Sequence, residues 1–237
     1  MNDLEAYFLN NPGRMIRKWM HYFEVYERHL SRFRGTEVNV VEIGVYQGGS
    51  LQMWKHYFGE RACIWGVDIN PDVKQFEEDR IKIIVGDQAD REFLRGLARD
   101  VSRIDILIDD GGHTMVQQRT TMEEIFPKID ANGVYICEDL HTSYWHEFGG
   151  GHLDPRSFIE FSKSYIDQLN ARYSEDQQSL SISEFTRTAQ SMHYYDSMLV
   201  IEKRPMVEKL QFRSTGVPTL PASSFPRRPG RAPRVTR

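Results

Sequence analysis

The feature that most constrains this chain is an alternation of short apolar runs with helical spacers. Val38–Val45, Cys63–Ile69, Ile81–Val85, Ile104–Ile108, Val134–Cys137 and Met198–Ile201 are runs built mostly from Val and Ile. Continuous apolar runs suit strands buried on both faces of a parallel sheet, whereas alternating runs suit strands with one wet face. The spacers repeat apolar residues at helical intervals. Examples are Leu51, Trp54 and Phe58; Phe93, Leu94 and Leu97; Met115, Met122, Ile125 and Phe126; and Phe158, Phe161, Tyr165, Leu169 and Tyr173. Strand and helix in regular alternation predict an α/β fold with a doubly wound, Rossmann-like sheet. No internal repeat is visible.

The two ends read differently. Ile16, Trp19, Met20, Phe23, Tyr26, Leu30 and Phe33 recur every three or four residues. They predict an amphipathic helix of about five turns, closed by a C-cap at Gly35, so residues 1–35 form an N-terminal helical cap. Such a stripe packs on its own domain, with a homo-oligomer contact as the alternative. From Arg204 onward the chain holds eight Lys and Arg against one acid, Glu208, and six of its ten prolines. Residues 205–237 therefore read as a basic, Pro-rich, disordered tail; a solvated extension and a polyanion-binding arm are both open. The total charge of −4 thus splits into +7 for this end and −11 for residues 1–203.

Composition excludes several classes. A chain of 237 residues buries a real core in one domain, here expected over residues 36–204. No stretch approaches eighteen uncharged apolar residues, which removes a transmembrane helix, and Asp3, Glu5 and Arg14 interrupt any secretory segment. Cys63 and Cys137 sit in strand-like runs and read as small reduced core residues. The expectation is a soluble, cytoplasmic protein whose acidic body takes neither membrane nor nucleic acid as partner.

In doubly wound sheets ligands bind at the carboxyl ends of strands. The first run ends Glu42-Ile43-Gly44-Val45-Tyr46-Gln47-Gly48-Gly49-Ser50. The glycines permit a tight turn and Ser50 can serve the start of the next helix. The spacing departs from the dinucleotide pattern Gly-x-Gly-x-x-Gly, and Glu42 suits a ligand bearing a positive charge better than a pyrophosphate. The second run ends at Asp68 and the third at Gly86-Asp87-Gln88. Asp68, about twenty residues past the turn, is placed to accept from ribose hydroxyls.

Glu42-x-Gly44 with Gly48, then Asp68, then Asp87 resembles motifs I to III of the class I S-adenosylmethionine-dependent methyltransferases. The resemblance spans residues 36 to 203 and implies the strand order 3-2-1-4-5-7-6. It also implies cofactor-binding roles: Glu42, Gly44 and Gly48 toward the methionine part, Ser50 for its carboxylate, Asp68 for ribose, Asp87 and Gln88 for adenine. Tyr46 departs from the commoner Gly-x-Gly-x-Gly.

The fourth and fifth runs end Asp109-Asp110-Gly111-Gly112-His113 and Glu138-Asp139-Leu140-His141. A plain turn and a solvated loop start are the bland readings. Two acidic pairs on adjacent strand ends would nevertheless repel unless a cation sat between them. A hard divalent ion, Mg²⁺ first and Mn²⁺ or Ca²⁺ next, resolves the conflict.

These segments are similar to the Mg²⁺-dependent sugar O-methyltransferases of macrolide and rhamnosyl natural-product pathways. The resemblance implies Asp110, Glu138 and Asp139 as metal ligands, His113 as general base, and Asp109 on the cofactor edge. The chemistry agrees: a metal acidifies a sugar hydroxyl, and an imidazole can take its proton. Tyr144 and Trp145, followed by Gly149-Gly150-Gly151, are candidates for the substrate face and a lid; His141, His146 and His152 carry weaker signals. The leading expectation is a glycosylated small-molecule acceptor. Alternatives are a catechol-like phenol, a nucleotide-sugar or NAD oxidoreductase, and a non-catalytic cofactor-binding module.

Overall fold

The computed structural model describes residues 1–205; the expected basic tail lies outside them. Seven strands form one sheet: β1 (Asn39–Ile43), β2 (Cys63–Asp68), β3 (Ile81–Val85), β4 (Ile104–Asp109), β5 (Ile129–Cys137), β6 (Ala189–Tyr195) and β7 (Met198–Lys203). Their order is β3-β2-β1-β4-β5-β7-β6, as the resemblance implied. The first five are parallel, and β7 runs antiparallel to both β5 and β6. β6 was absent from the apolar runs because it is an edge strand, AQSMHYY, only partly covered.

Helices cover both faces: α1 (Asp3–Leu9), α2 (Tyr22–Leu30) and α3 (Gly49–Phe58) belong to one side, α4 (Arg91–Asp100), α5 (Met115–Glu124) and α6 (Phe158–Asn170) to the other. A short α7 (Glu184–Thr188) precedes β6. Successive residues of a strand point to opposite faces. Accordingly Val40, Ile106 and Ile136 join the core with Phe23, Tyr26 and Trp54. Their neighbours Val41, Leu107 and Tyr135 join the core with Leu94, Met122 and Phe158. Every residue of β4 is buried, which is what an apolar run without alternation requires. Cys137 is buried, Cys63 half-buried, and both are free thiols. Among the described residues no helix is long and apolar enough to cross a membrane.

The N-terminal stripe is only half a helix. α2 begins at Tyr22, and a 3-10 turn over Ser31–Phe33 completes it; residues 11–20 have no helix or strand. Phe23, Tyr26 and Leu30 are buried as expected, but Trp19 is 56% and Met20 45% exposed. The Lys18 side chain is 2% exposed. The physical reason is electrostatic: Lys18 is drawn to carboxylates at the strand ends, and its neighbours follow it as an extended strap.

Candidate active site

The carboxyl end of the sheet carries a cavity of about 290 Å³. Its floor begins at Gly44, whose φ is +99°. A Cβ there would lie 2.0 Å from the Asp110 carbonyl oxygen, so no other residue allows β1 and β4 to approach this closely. The backbone N–H groups of Val45 and Tyr46 donate to Asp68 Oδ2 at 2.9 and 3.2 Å. The Asn70 N–H donates to Oδ1 at 2.9 Å. Asp68 therefore fixes the glycine turn while lining the cavity. Gly44, Ser50, Asp68, Asp87 and Gln88 all line it, together with Tyr46, Asp110 and Met15 to Lys18.

The other three expected cofactor residues stand behind that lining. Glu42 is fully buried and accepts from the Ser50 hydroxyl at 2.7 Å. Gly48 caps α3 in a left-handed conformation. Asp109 lies beneath Gln88, whose Nε2 donates to Asp109 Oδ1 at 2.6 Å. Burial pushes the Asp109 carboxyl up to about 7, against the lowering effect of the Gln88 hydrogen bond.

Beside the cavity the acidic pairs meet, and a cation from the chain itself lies among them. Lys18 Nζ is 2.6 Å from Asp110 Oδ2 and 3.0 Å from Glu138 Oε2. It is also 3.1 Å from Glu138 Oε1 and 3.3 Å from Glu42 Oε1. Burial works against this charge, but Asp110 and Glu138 outweigh it and hold the ammonium well above its usual range. The Tyr26 hydroxyl donates to Glu138 Oε1 at 2.6 Å. The Tyr22 hydroxyl donates to Asp139 Oδ1 at 2.8 Å. One turn of α2 separates these phenols, so both reach the end of β5.

His113 faces the outer side of the same cluster. Its Nε2 is 3.8 Å from Asp110 Oδ1 and 3.6 Å from Asp139 Oδ2. Ligand atoms of Asp110, His113 and Asp139 all lie within 4.8 Å of one another. Burial keeps His113 below its usual value, although Asp110 and Asp139 pull it upward. His113 and Asp139 both have φ of 55°, a left-handed backbone that non-glycine residues adopt at a cost of order 1–3 kcal/mol. Of the three expected metal residues, the structure thus brings Asp110 and Asp139 to His113 and gives Glu138 to Lys18 and Tyr26. All-oxygen donors next to an imidazole, only about one-fifth exposed, fit a hard divalent ion that keeps some of its water. Among the described residues the buried His113 Nδ1 has no hydrogen-bond partner, which leaves the ring free of a competing anchor.

Tyr144 and Trp145 are not among the residues that line the cavity and are 53% and 45% exposed. His141 packs against Trp145 with ring centroids 4.8 Å apart, and the Trp19 ring stands 6.3 Å from His141. His146 and His152 are exposed. The glycine run folds back on this loop: the Gly150 and Gly151 N–H groups donate to Trp145 and Ser143 carbonyls. Sequence reasoning missed Lys18, Tyr22 and Tyr26. For Tyr22 and Tyr26 the available signal was their spacing of four residues, which puts both phenols on one line of a helix; Lys18 precedes that helix and carried no such signal.

An open sheet in this order, with a glycine turn after β1 and acids at the ends of β2 and β3, is the arrangement of the class I S-adenosylmethionine-dependent methyltransferase fold. Residues 41–140 match the family model described as a methyltransferase domain. It is 39% identical over 197 residues to the 8-demethyl-8-alpha-L-rhamnosyl tetracenomycin-C 2'-O-methyltransferase of Streptomyces olivaceus, covering 79% of this chain and 52% of that protein. It is 40% identical over 217 residues to the demethylmacrocin O-methyltransferase of Streptomyces fradiae, covering 86% and 53%. The structure of the MycE methyltransferase from the mycinamycin biosynthetic pathway, in complex with Mg, SAH and mycinamycin VI, matches with a TM-score of 0.74. That match has 34% identity and covers 86% of this chain and 53% of that one. The chain spans about half the length of the curated relatives it matches. The methyltransferase-domain match speaks against the oxidoreductase alternative.

Proposed function

We propose that the chain is an S-adenosylmethionine- and Mg²⁺-dependent O-methyltransferase acting on a hydroxyl of a sugar or glycosylated metabolite. One observation carries this reading: Asp110 lines the cofactor-sized cavity and, with Asp139, faces His113. The acceptor class draws support from the relatives, one of which is named for the 2'-O of a rhamnosyl group.

S-adenosylmethionine supplies a methyl group on a sulfonium. Ser50 and the N-terminus of α3 would hold its carboxylate, where anions are favoured. Asp68, Asp87 and Gln88 would border its ribose and adenine, while Glu42, Gly44 and Gly48 would shape the methionine end. Asp110 and Asp139 would hold the divalent ion, and Glu138 would join them only by giving up its bonds to Lys18 and Tyr26. The ion would lower the pKa of the acceptor hydroxyl and fix its direction. His113 Nε2 would accept the proton of the acceptor hydroxyl. Tyr22 steadies Asp139 throughout, and Tyr144 and Trp145 stack on the sugar.

The test uses methyl-labelled cofactor with a panel of 6-deoxyhexosyl glycosides and a catechol. Label should enter the glycosides, vanish in EDTA and return with Mg²⁺. Label on the catechol alone would move the acceptor to the phenolic class. Full transfer in EDTA would remove the metal.

A further inference from the structure

Within residues 11–20, Met15 to Lys18 form one wall of the cavity, and the segment is fastened at both ends. At the near end, the Arg14 N–H donates to Gln52 Oε1 at 3.0 Å, and its guanidinium meets the Phe76 carbonyl at 3.0 Å and Glu78 at 3.1 Å. The strap backbone presses on the start of α3 so closely that a Cβ on Gly49 would lie 2.3 Å from the Arg14 and Met15 carbonyl oxygens. At the far end the fastening is Lys18, a side chain 2% exposed among three carboxylates from the ends of β1, β4 and β5. Between the two fastenings, Met15, Ile16 and Arg17 face the cavity.

A buried ammonium with three carboxylate partners is not a surface ion pair of negligible worth. Removing one member of such a cluster strands charge in a low-dielectric setting, so the group holds its place strongly. The ammonium also takes the inner oxygen of Asp110, Oδ2, and leaves Oδ1 turned toward His113.

We propose that Lys18 is a positioning residue that couples the carboxylate cluster to the cofactor pocket, because its ammonium fastens the pocket's outer wall to Asp110, Glu138 and Glu42. This rests on the methyltransferase reading for the identity of the cavity's ligand. It adds that the two halves of the site share an anchor, so a change in the acidic cluster is felt as a change in cofactor affinity even without metal.

The experiment compares wild type with Lys18→Met, Lys18→Arg and Arg14→Gln, and with Lys163→Met, an exposed-pair control. All are held in EDTA, so no metal enters the readout. Two quantities are measured: S-adenosylhomocysteine affinity by calorimetry and amide exchange in residues 11–20. Lys18→Met should weaken binding about tenfold and speed exchange in the strap, and Lys18→Arg should recover part of both. Arg14→Gln removes the guanidinium's hold on Phe76 and Glu78 without touching the strand-end carboxylates, and should weaken binding as well. Lys163→Met should match wild type.

A folded Lys18→Met with wild-type affinity and strap protection overturns the proposal. So does an Arg14→Gln variant whose strap exchanges faster while affinity stays unchanged; this arm decides if Lys18→Met does not fold. A wild type that fails to bind S-adenosylhomocysteine would overturn the methyltransferase reading instead, and strap exchange in Lys18→Met would still decide whether Lys18 is the fastening.

Discussion

An imidazole that must accept a proton needs two things: an open nitrogen and a setting that keeps it neutral beforehand. His113 has both, with Nε2 turned to the outer oxygens of Asp110 and Asp139 and a buried ring held below its ordinary value by desolvation. Replacing His113 with Ala should cut single-turnover methyl transfer by roughly 10²–10⁴, while S-adenosylhomocysteine affinity by calorimetry stays at the wild-type value. Tyr22 offers a finer probe, since its hydroxyl donates to Asp139 Oδ1 and its ring is buried in the cap. Tyr22→Phe keeps the ring and removes the donor. Mn²⁺ affinity by electron paramagnetic resonance should fall about tenfold, the cost usual for losing an outer partner of a metal ligand. Asp110, His113, Glu138 and Asp139 were legible because each acidic pair follows directly on an apolar run, at a place where parallel sheets bind ligands. Lys18 was not: a lysine one step from a Trp in an apolar stripe reads as a wet face until its partners, up to 120 residues away, are known.

At the level of elements, the parallel strands and their crossover helices were readable because Val- and Ile-rich runs and three-to-four spacing are local properties. The misjudged segments were settled by distant contacts. The stripe from Ile16 to Phe33 satisfied helical periodicity throughout, yet its first part is extended, because ion pairs of Lys18 and Arg14 outweigh a helix that begins beside Pro12 and Gly13. β6 escaped notice because an edge strand needs little apolar surface. α2 also carries a group that makes stability depend on pH. His29 meets Glu202 through Nδ1 at 2.7 Å and the Tyr195 hydroxyl through Nε2 at 2.8 Å, a pairing that a neutral imidazole satisfies. Burial holds His29 below 6.5, against the pull of Glu202. The unfolded chain takes up this proton near pH 6.5 and the folded chain only at lower pH, so the unfolded state binds more protons in that window and stability falls as pH drops through it. His29→Gln should therefore show a shallower loss of melting temperature between about pH 6.5 and 5 than wild type, measured by calorimetry at matched ionic strength.

For the molecule as a whole, a ligand that binds only the folded state raises its stability by RT ln(1 + [L]/Kd), or about 2.7 kcal/mol at a hundredfold excess over Kd. S-adenosylhomocysteine should raise the melting temperature accordingly, and NAD should leave it unchanged; the reverse pattern in a thermal scan would remove the class assignment. The site these ligands address is assembled from the ends of β1, β2, β3, β4 and β5 and from a strap that precedes all of them. That arrangement sets an order of events during synthesis. Lys18 and Glu138 are 120 residues apart, so at roughly 5–20 residues per second the lysine leaves the ribosome roughly 6–24 s before its partner. The wall of the pocket is thus the first part made and the last part fastened. A translational pause before β5 would prolong the stage at which the nascent chain carries an unmoored strap and a half-built acidic cluster.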